Sequence, residues 1–263
     1  MTRIGEKFEQ LKEKKRMAFM PFFVAGDPDL KTSMEIGRAL ASRADILEIG
    51  FPYSDPIADG PTIQAADTRA IASGMNTNRV FALIRAIRNV SPTPISILVY
   101  ANLVQQRGIA RFYRDTRDAG VDGVLIPDVP IEEASPFLHM AKSVGIDQIF
   151  IVAPTTNPAR LEKIIRRAQG YLYVVSVLGV TGTRTILSPE IPRLIKKIKV
   201  HTSLPLAIGF GISKKEHLVA LKEAGADGAI VGSALVNIIQ ENTDDKKNIP
   251  KKLIAYLENH FIL

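Results

Sequence analysis

Apolar runs rich in Val and Ile recur along the whole chain, and each is followed by a stretch whose apolar positions repeat at helical spacing. The pattern predicts eight strands, over residues 19–24, 46–49, 95–100, 123–126, 148–152, 172–177, 206–209 and 228–231. Between them it predicts helices over 31–42, 77–90, 108–118, 131–144, 157–168, 189–199 and 214–223. Two further helical patterns frame the set, 4–15 before the first strand and 234–239 with 250–259 after the last. Strict alternation of strand and helix predicts a parallel sheet with crossover helices.

Arg43-Ala44-Asp45-Ile46, Gly120-Val121-Asp122-Gly123 and Gly225-Ala226-Asp227-Gly228 each introduce a strand, so the same turn is solved repeatedly. No Pro/Gly/Ser-rich linker divides the chain. The expectation is a single domain, 1–263, folded as a (β/α)8 TIM barrel with an extra N-terminal helix and a short phosphate-binding helix after strand eight. An open doubly wound sheet is the alternative.

Composition narrows the chemistry. With 46% hydrophobic and 23% charged residues the chain fits a water-soluble globular protein, and no stretch approaches the roughly 20 apolar residues of a bilayer span. The N-terminal segment, with Glu6, Lys7, Glu9, Lys12 and Glu13, has the pattern of a charged amphipathic helix and not of a secretory signal, so a cytoplasmic location is expected. The absence of cysteine excludes disulfides and thiolate chemistry, and His139, His201, His217 and His260 lack metal-ligand spacing. The Lys and Arg behind the net charge of +7 are spread along the chain, with local excesses at 12–16, 196–199 and 246–252, each on or beside a helical pattern. They are read as solvated helix faces, with anion attraction as the alternative; no nucleic-acid or membrane partner is expected.

Glu48 lies inside an apolar strand, sharing a face with Ile46. Aimed into the barrel, it would be desolvated and poised near neutral pH as an acid/base; aimed elsewhere, it would be a structural carboxylate paired with a buried cation. The following loop carries Asp55 and Asp59, at the end of a barrel where active sites are built. Asp59-Gly60-Pro61 also has the form of a turn leading into a helix that starts at Thr62, which leaves an N-cap role open. The last three strands end in glycines: Gly179-Val180-Thr181-Gly182, Gly209-Phe210-Gly211 and Gly232-Ser233. Backbone amides converging there suit a phosphate. Phe22, Leu98, Tyr100 and Tyr173, near strand ends, could wall an apolar pocket or be plain core.

The segment Leu47-Glu48-Ile49-Gly50-Phe51-Pro52-Tyr53-Ser54-Asp55-Pro56-Ile57-Ala58-Asp59-Gly60-Pro61-Thr62-Ile63-Gln64, with Tyr100-Ala101-Asn102, Pro127-Asp128-Val129-Pro130, Gly179 to Gly182 and Gly209 to Ser213, resembles the tryptophan synthase α subunit family over nearly the whole chain. The resemblance implies retro-aldol cleavage of indole-3-glycerol phosphate to indole and glyceraldehyde 3-phosphate, with no cofactor or metal in this chain. It implies Glu48 as general acid/base and Asp59 as the carboxylate on the indole N–H. It assigns the phosphate to Gly182, Gly211, Gly232 and Ser233. The indole pocket falls to Phe22, Leu98, Tyr100, Leu125, Ile151 and Tyr173, and a closing loop to Thr181. The implied partner is a pyridoxal-phosphate β subunit in an α2β2 complex, contacted near Asp55, Pro56, Asn102 and Pro130. The chain departs from the family pattern at Val177-Leu178 and from Arg184 to Leu187. Outside that family, the same phosphate seat suits an isomerase or another aldol-type lyase. A binding subunit with little turnover alone is a further reading.

Overall fold

A computed structural model of the chain describes residues 2–175, 190–209, 212 and 215–261. Eight parallel strands close into one barrel in chain order: β1 Ala18–Val24, β2 Leu47–Gly50, β3 Ile95–Leu98, β4 Gly123–Leu125, β5 Asp147–Val152, β6 Leu172–Val175, β7 Leu206–Gly209 and β8 Gly228–Val231. The helices, in order, are α1 Arg3–Glu13, α2 Leu30–Ala41, α3 Pro61–Ala72, α4 Thr77–Arg88, α5 Ala101–Arg107, α6 Ile109–Asp118, α7 Ser135–Val144, α8 Pro158–Ile165, α9 Glu190–Lys199, α10 Lys215–Glu223, α11 Ser233–Glu241 and α12 Ile249–His260. A 3-10 turn, Thr243–Asn248, precedes the last. The closed barrel displaces the open-sheet alternative, and no described helix is long and apolar enough to cross a membrane.

Three departures from the sequence pattern have local causes. The third strand stops at Leu98, because Tyr100 turns out of the sheet to cap α5, a helix the pattern had not separated from strand and loop. The fourth stops at Leu125, ahead of the Pro127-Asp128 turn. The helix expected from residue 131 begins only at Ser135, after a turn in which Glu133 N–H donates to the Pro130 carbonyl.

The repeated aspartates do one job at three places. Asp45, Asp122 and Asp227 accept the amide N–H of Phe19, Ile95 and Leu206 at 2.9, 2.8 and 2.7 Å, while their own N–H groups donate to those residues' carbonyls. Each carboxylate therefore stitches the start of a neighbouring strand. Each also holds a cation: Arg16 on Asp45, Arg3 and Arg88 on Asp122, and Lys199 on Asp227. Part of the basic excess is thereby used as structural ion pairs, with Lys246 on Asp29 as another.

Helix α1 closes the N-terminal mouth of the barrel. Its buried face is Ile4, Phe8 and Leu11, and Phe8 meets Tyr171 with ring centroids 5.9 Å apart. Sealing that end leaves the other, where the strands' C-termini lie, for a site.

Candidate active site

Register fixes which side chains share the barrel interior. Phe22 pairs with Glu48, Glu48 with Ser96, Leu98 with Leu125, and Ile151 with Tyr173. Strands β2 and β6 stand four apart in the closed order, yet the Tyr171 hydroxyl lies 3.3 Å from Glu48 Oε1 and 3.2 Å from Ser96 Oγ. Contacts of that kind cross the interior, so Glu48 points inward. It is 1% exposed, and among the described residues it forms no ion pair and its Oε2 has no hydrogen-bond partner. Burial pushes its pKa up to about 8; Tyr171 opposes the shift and the charge of Asp59 adds to it. The structural alternative, a carboxylate bound to a buried cation, has no cation to supply it among the described residues.

Asp59 ends the β2–α3 loop. The N-cap alternative fails, because Gly60 occupies the cap, makes no side-chain cap bond, and is followed by Pro61 as the first helical residue. Asp59 Oδ2 instead accepts a 2.7 Å bond from the buried Tyr100 hydroxyl, which itself accepts from Ala58 N–H at 3.1 Å. Gln64 Nε2 holds the Asp59 carbonyl at 2.8 Å. Tyr53 stacks on Tyr100, centroids 4.9 Å apart and planes 23° from parallel. Burial lifts Asp59 to about 6 against the opposing hydrogen bond from Tyr100.

Among the walls, Phe22, Leu125 and Tyr173 are buried, whereas Leu98 and Ile151 keep partial exposure. Glycines make the space. A Cβ on Gly209 would sit 2.2 Å from the Tyr173 hydroxyl, and one on Gly50 2.7 Å from the Phe22 ring. At Gly209 the missing side chain admits the Tyr173 phenol.

Gly232 precedes α11, which starts at Ser233 directly beyond β8 with no side chain capping it. The first amides of such a helix have no intrahelical acceptor and face the strand ends. Thr181, Gly182 and Gly211 lie outside the described residues, as do Val177-Leu178 and Arg184 to Leu187. Asp55, Asn102 and Pro130 are exposed and Pro56 is half-buried; Asn102 is in the first turn of α5 and the others are on the loops after β2 and β4. The start of α5 ties the two loops together: Asn102 Nδ2 reaches the Tyr53 hydroxyl at 3.3 Å, and Asp128 accepts from Ala101 N–H at 2.9 Å. Beside them Ile57 is 80% exposed.

Sequence reasoning missed Tyr171, Ser96, Tyr53 and Asp67. The first two carried a signal, since Ser96 is a polar residue inside an apolar strand, as Glu48 is, and Tyr171 shares the alternation of Tyr173. Asp67 and the backbone of Tyr53 carried none; only the packing of α3 brings them together. Among the described residues, no group of three or more His, Asp or Glu is arranged to hold a metal.

A barrel sealed at one end, with two environment-shifted carboxyls and a free helix N-terminus at the other, defines a β/α-barrel enzyme of acid–base chemistry. Comparison with known proteins gives the family. The family model described as tryptophan synthase alpha chain matches residues 8–261. The tryptophan synthase alpha chain of Methanoregula boonei is 49% identical over 258 residues, covering 98% of this chain and 96% of its own. That of Methanothermobacter thermautotrophicus is 51% identical over 231 residues, covering 88% and 86%. Among solved structures, a chain of the Pyrococcus furiosus tryptophan synthase α2β2 complex superposes with a TM-score of 0.86 at 37% identity, covering 92% of this chain and 98% of that one. One from Mycobacterium tuberculosis tryptophan synthase gives 0.88 at 32% identity, covering 97% and 98%. The chain belongs to the tryptophan synthase alpha chain family.

Proposed function

We propose that this chain cleaves indole-3-glycerol phosphate to indole and glyceraldehyde 3-phosphate, with Glu48 as the proton-transfer group and Asp59 as the carboxylate on the indole N–H. The observation that carries the reading is the pairing of environments: Glu48 is buried without a cation and raised to about 8, while Asp59 is held lower, at about 6, by a tyrosine. Near neutral pH this favours a carboxylic acid beside a carboxylate, and acid–base assignments follow from such a split. The Glu48 acid delivers its proton to indole C3. Positive charge develops at the ring nitrogen, and ionised Asp59 stabilises it through the N–H. Glu48, now a carboxylate, takes the proton from the glycerol hydroxyl; the C–C bond breaks, its electrons return to the ring, and the aldehyde leaves.

Phe22, Leu98, Tyr100, Leu125, Ile151 and Tyr173 form the indole pocket in this reading. Gly232 and Ser233 contribute helix-N-terminal amides to the phosphate, with Gly182 and Gly211 as the further proposed donors and Thr181 in the proposed closing loop. No cofactor is required of this chain. A pyridoxal-phosphate β subunit is its proposed partner, docking on the loops of Asp55, Pro56, Asn102 and Pro130, where exposed Ile57 offers an apolar contact. Family membership supports this, since relatives carry the name and one solved relative is a chain of an α2β2 complex. Indole release from purified chain, with and without a β subunit, tests the activity. Release from indole-3-glycerol phosphate is expected in both cases; release only from other phosphates would overturn the substrate assignment.

A further inference from the structure

Asp67 lies on the buried face of α3 with Ile63, Ala66 and Ala70, and is 3% exposed. Its Oδ2 has no hydrogen-bond partner among the described residues. Arg69, two residues along the same helix, does not serve it: Nε and Nη2 go to Asp27 at 2.8 and 2.9 Å, and Nη1 to Gln240 at 3.2 Å. The charged groups acting on Asp67 are carboxylates, Asp59 from the β2–α3 loop and Asp27 from the segment after β1. The opposing influence is the backbone N–H of Tyr53. From α11, which packs on α3, come Gln240 and an exposed Glu241. No described cation forms an ion pair with Asp67. Ionised, it would be a second buried negative charge beside Asp59 with no described cation to neutralise either.

We propose that Asp67 is a proton-carrying positioning residue: kept neutral by this cluster, it braces the β2–α3 loop at Tyr53 and leaves Asp59 as the carboxylate that carries the charge. The coupling runs through named contacts. Tyr53 stacks on Tyr100, and Tyr100 holds Asp59. Charging Asp67 would therefore reach Asp59 both by repulsion and by a pull on Tyr53. Burial first, and then the charge of Asp59, set the transition at about 8. The proposal rests on the reading of Asp59 as the group that meets the indole N–H.

The test uses the full chain. Because the folded carboxyl is raised from 3.8 to about 8, its contribution to stability is complete below pH 3.8 and is lost as pH rises to about 8. Asp67→Asn has no such loss. Its urea midpoint should thus gain on wild type steadily between those limits and run parallel above them, with Asp67→Ser showing the same trend. A gap that does not change with pH would overturn the neutral carboxyl. The positioning role is read in a Glu48→Gln background, where Glu48 no longer titrates, by measuring the affinity for indole-3-glycerol phosphate against pH. Affinity should fall several-fold above about pH 8 in Glu48→Gln and hold steady in Glu48→Gln/Asp67→Asn; parallel profiles would overturn the brace. Unchanged affinity for indole-3-glycerol phosphate in Glu48→Gln/Asp59→Asn would remove the Asp59 reading without touching the stability result, so the two failures are distinguishable.

Discussion

The hydroxyl of Tyr100 donates to Asp59 Oδ2 at 2.7 Å and accepts from Ala58 N–H at 3.1 Å, one phenol fixing both the charge and the backbone of the β2–α3 loop. The bond favours ionised Asp59. Tyr100→Phe removes a hydrogen bond to a charged group, of about 1.5–3 kcal/mol, and leaves Ala58 N–H without that acceptor. We expect kcat/KM for indole release to fall roughly 10- to 100-fold. The acid limb of its pH profile should move to higher pH, because Asp59 then ionises later.

The two proposed catalytic carboxyls predict a bell-shaped profile. Activity should rise as Asp59 ionises through about 6 and decline as the Glu48 acid is lost through about 8. Stability should respond as well. Glu48 raised from 4.5 to about 8 contributes stability that is complete below pH 4.5 and disappears as pH rises through about 8. Glu48→Gln should accordingly be more stable than wild type at pH 9, by on the order of 3–5 kcal/mol, measured by urea denaturation.

Gly209 tests how closely the pocket wall is built. A methyl group there would stand 2.2 Å from the Tyr173 hydroxyl and 2.5 Å from its ring carbon, so the phenol must move. Gly209→Ala should cost about 1–3 kcal/mol of stability by overpacking. It should lower kcat/KM by about 10- to 100-fold through the displaced wall, visible in steady-state indole assays.

The opposite end of the barrel should separate stability from activity. Asp122 accepts from Ile95 N–H and pairs with Arg3 and Arg88, of which Arg88 is largely buried. Asp122→Asn should destabilise the fold by about 2–4 kcal/mol, read from the thermal midpoint. At temperatures where the variant is folded, kcat/KM should stay within about two-fold of wild type, since a surviving fold keeps its catalytic end intact.

Periodicity carried the barrel because each strand and each crossover helix answers to its own hydrophobic repeat. It failed where side-chain direction changes within two residues, as at Tyr100, which leaves β3 to cap α5. Glu48 was legible as a polar residue in an apolar strand, and Ser96 carried the same signal. The Asp45, Asp122 and Asp227 turns were legible as a repeat, but their function as staples on an amide at the start of a neighbouring strand depends on register, which one strand's sequence does not contain. Asp67 was invisible for a related reason. An aspartate on a helix reads as solvated until the packing of that helix shows it buried, within the field of Asp59 and Asp27.

The central claim is that the Glu48 carboxyl moves the proton on which carbon–carbon cleavage depends, and its most direct measurement is indole release from indole-3-glycerol phosphate by purified Glu48→Gln. Glutamine keeps the size of the side chain and the contact with Tyr171, so the variant should fold and bind substrate while kcat falls by at least about 10²- to 10⁴-fold, the scale of general acid–base catalysis. A folded Glu48→Gln protein that releases indole at near wild-type rate would contradict the account.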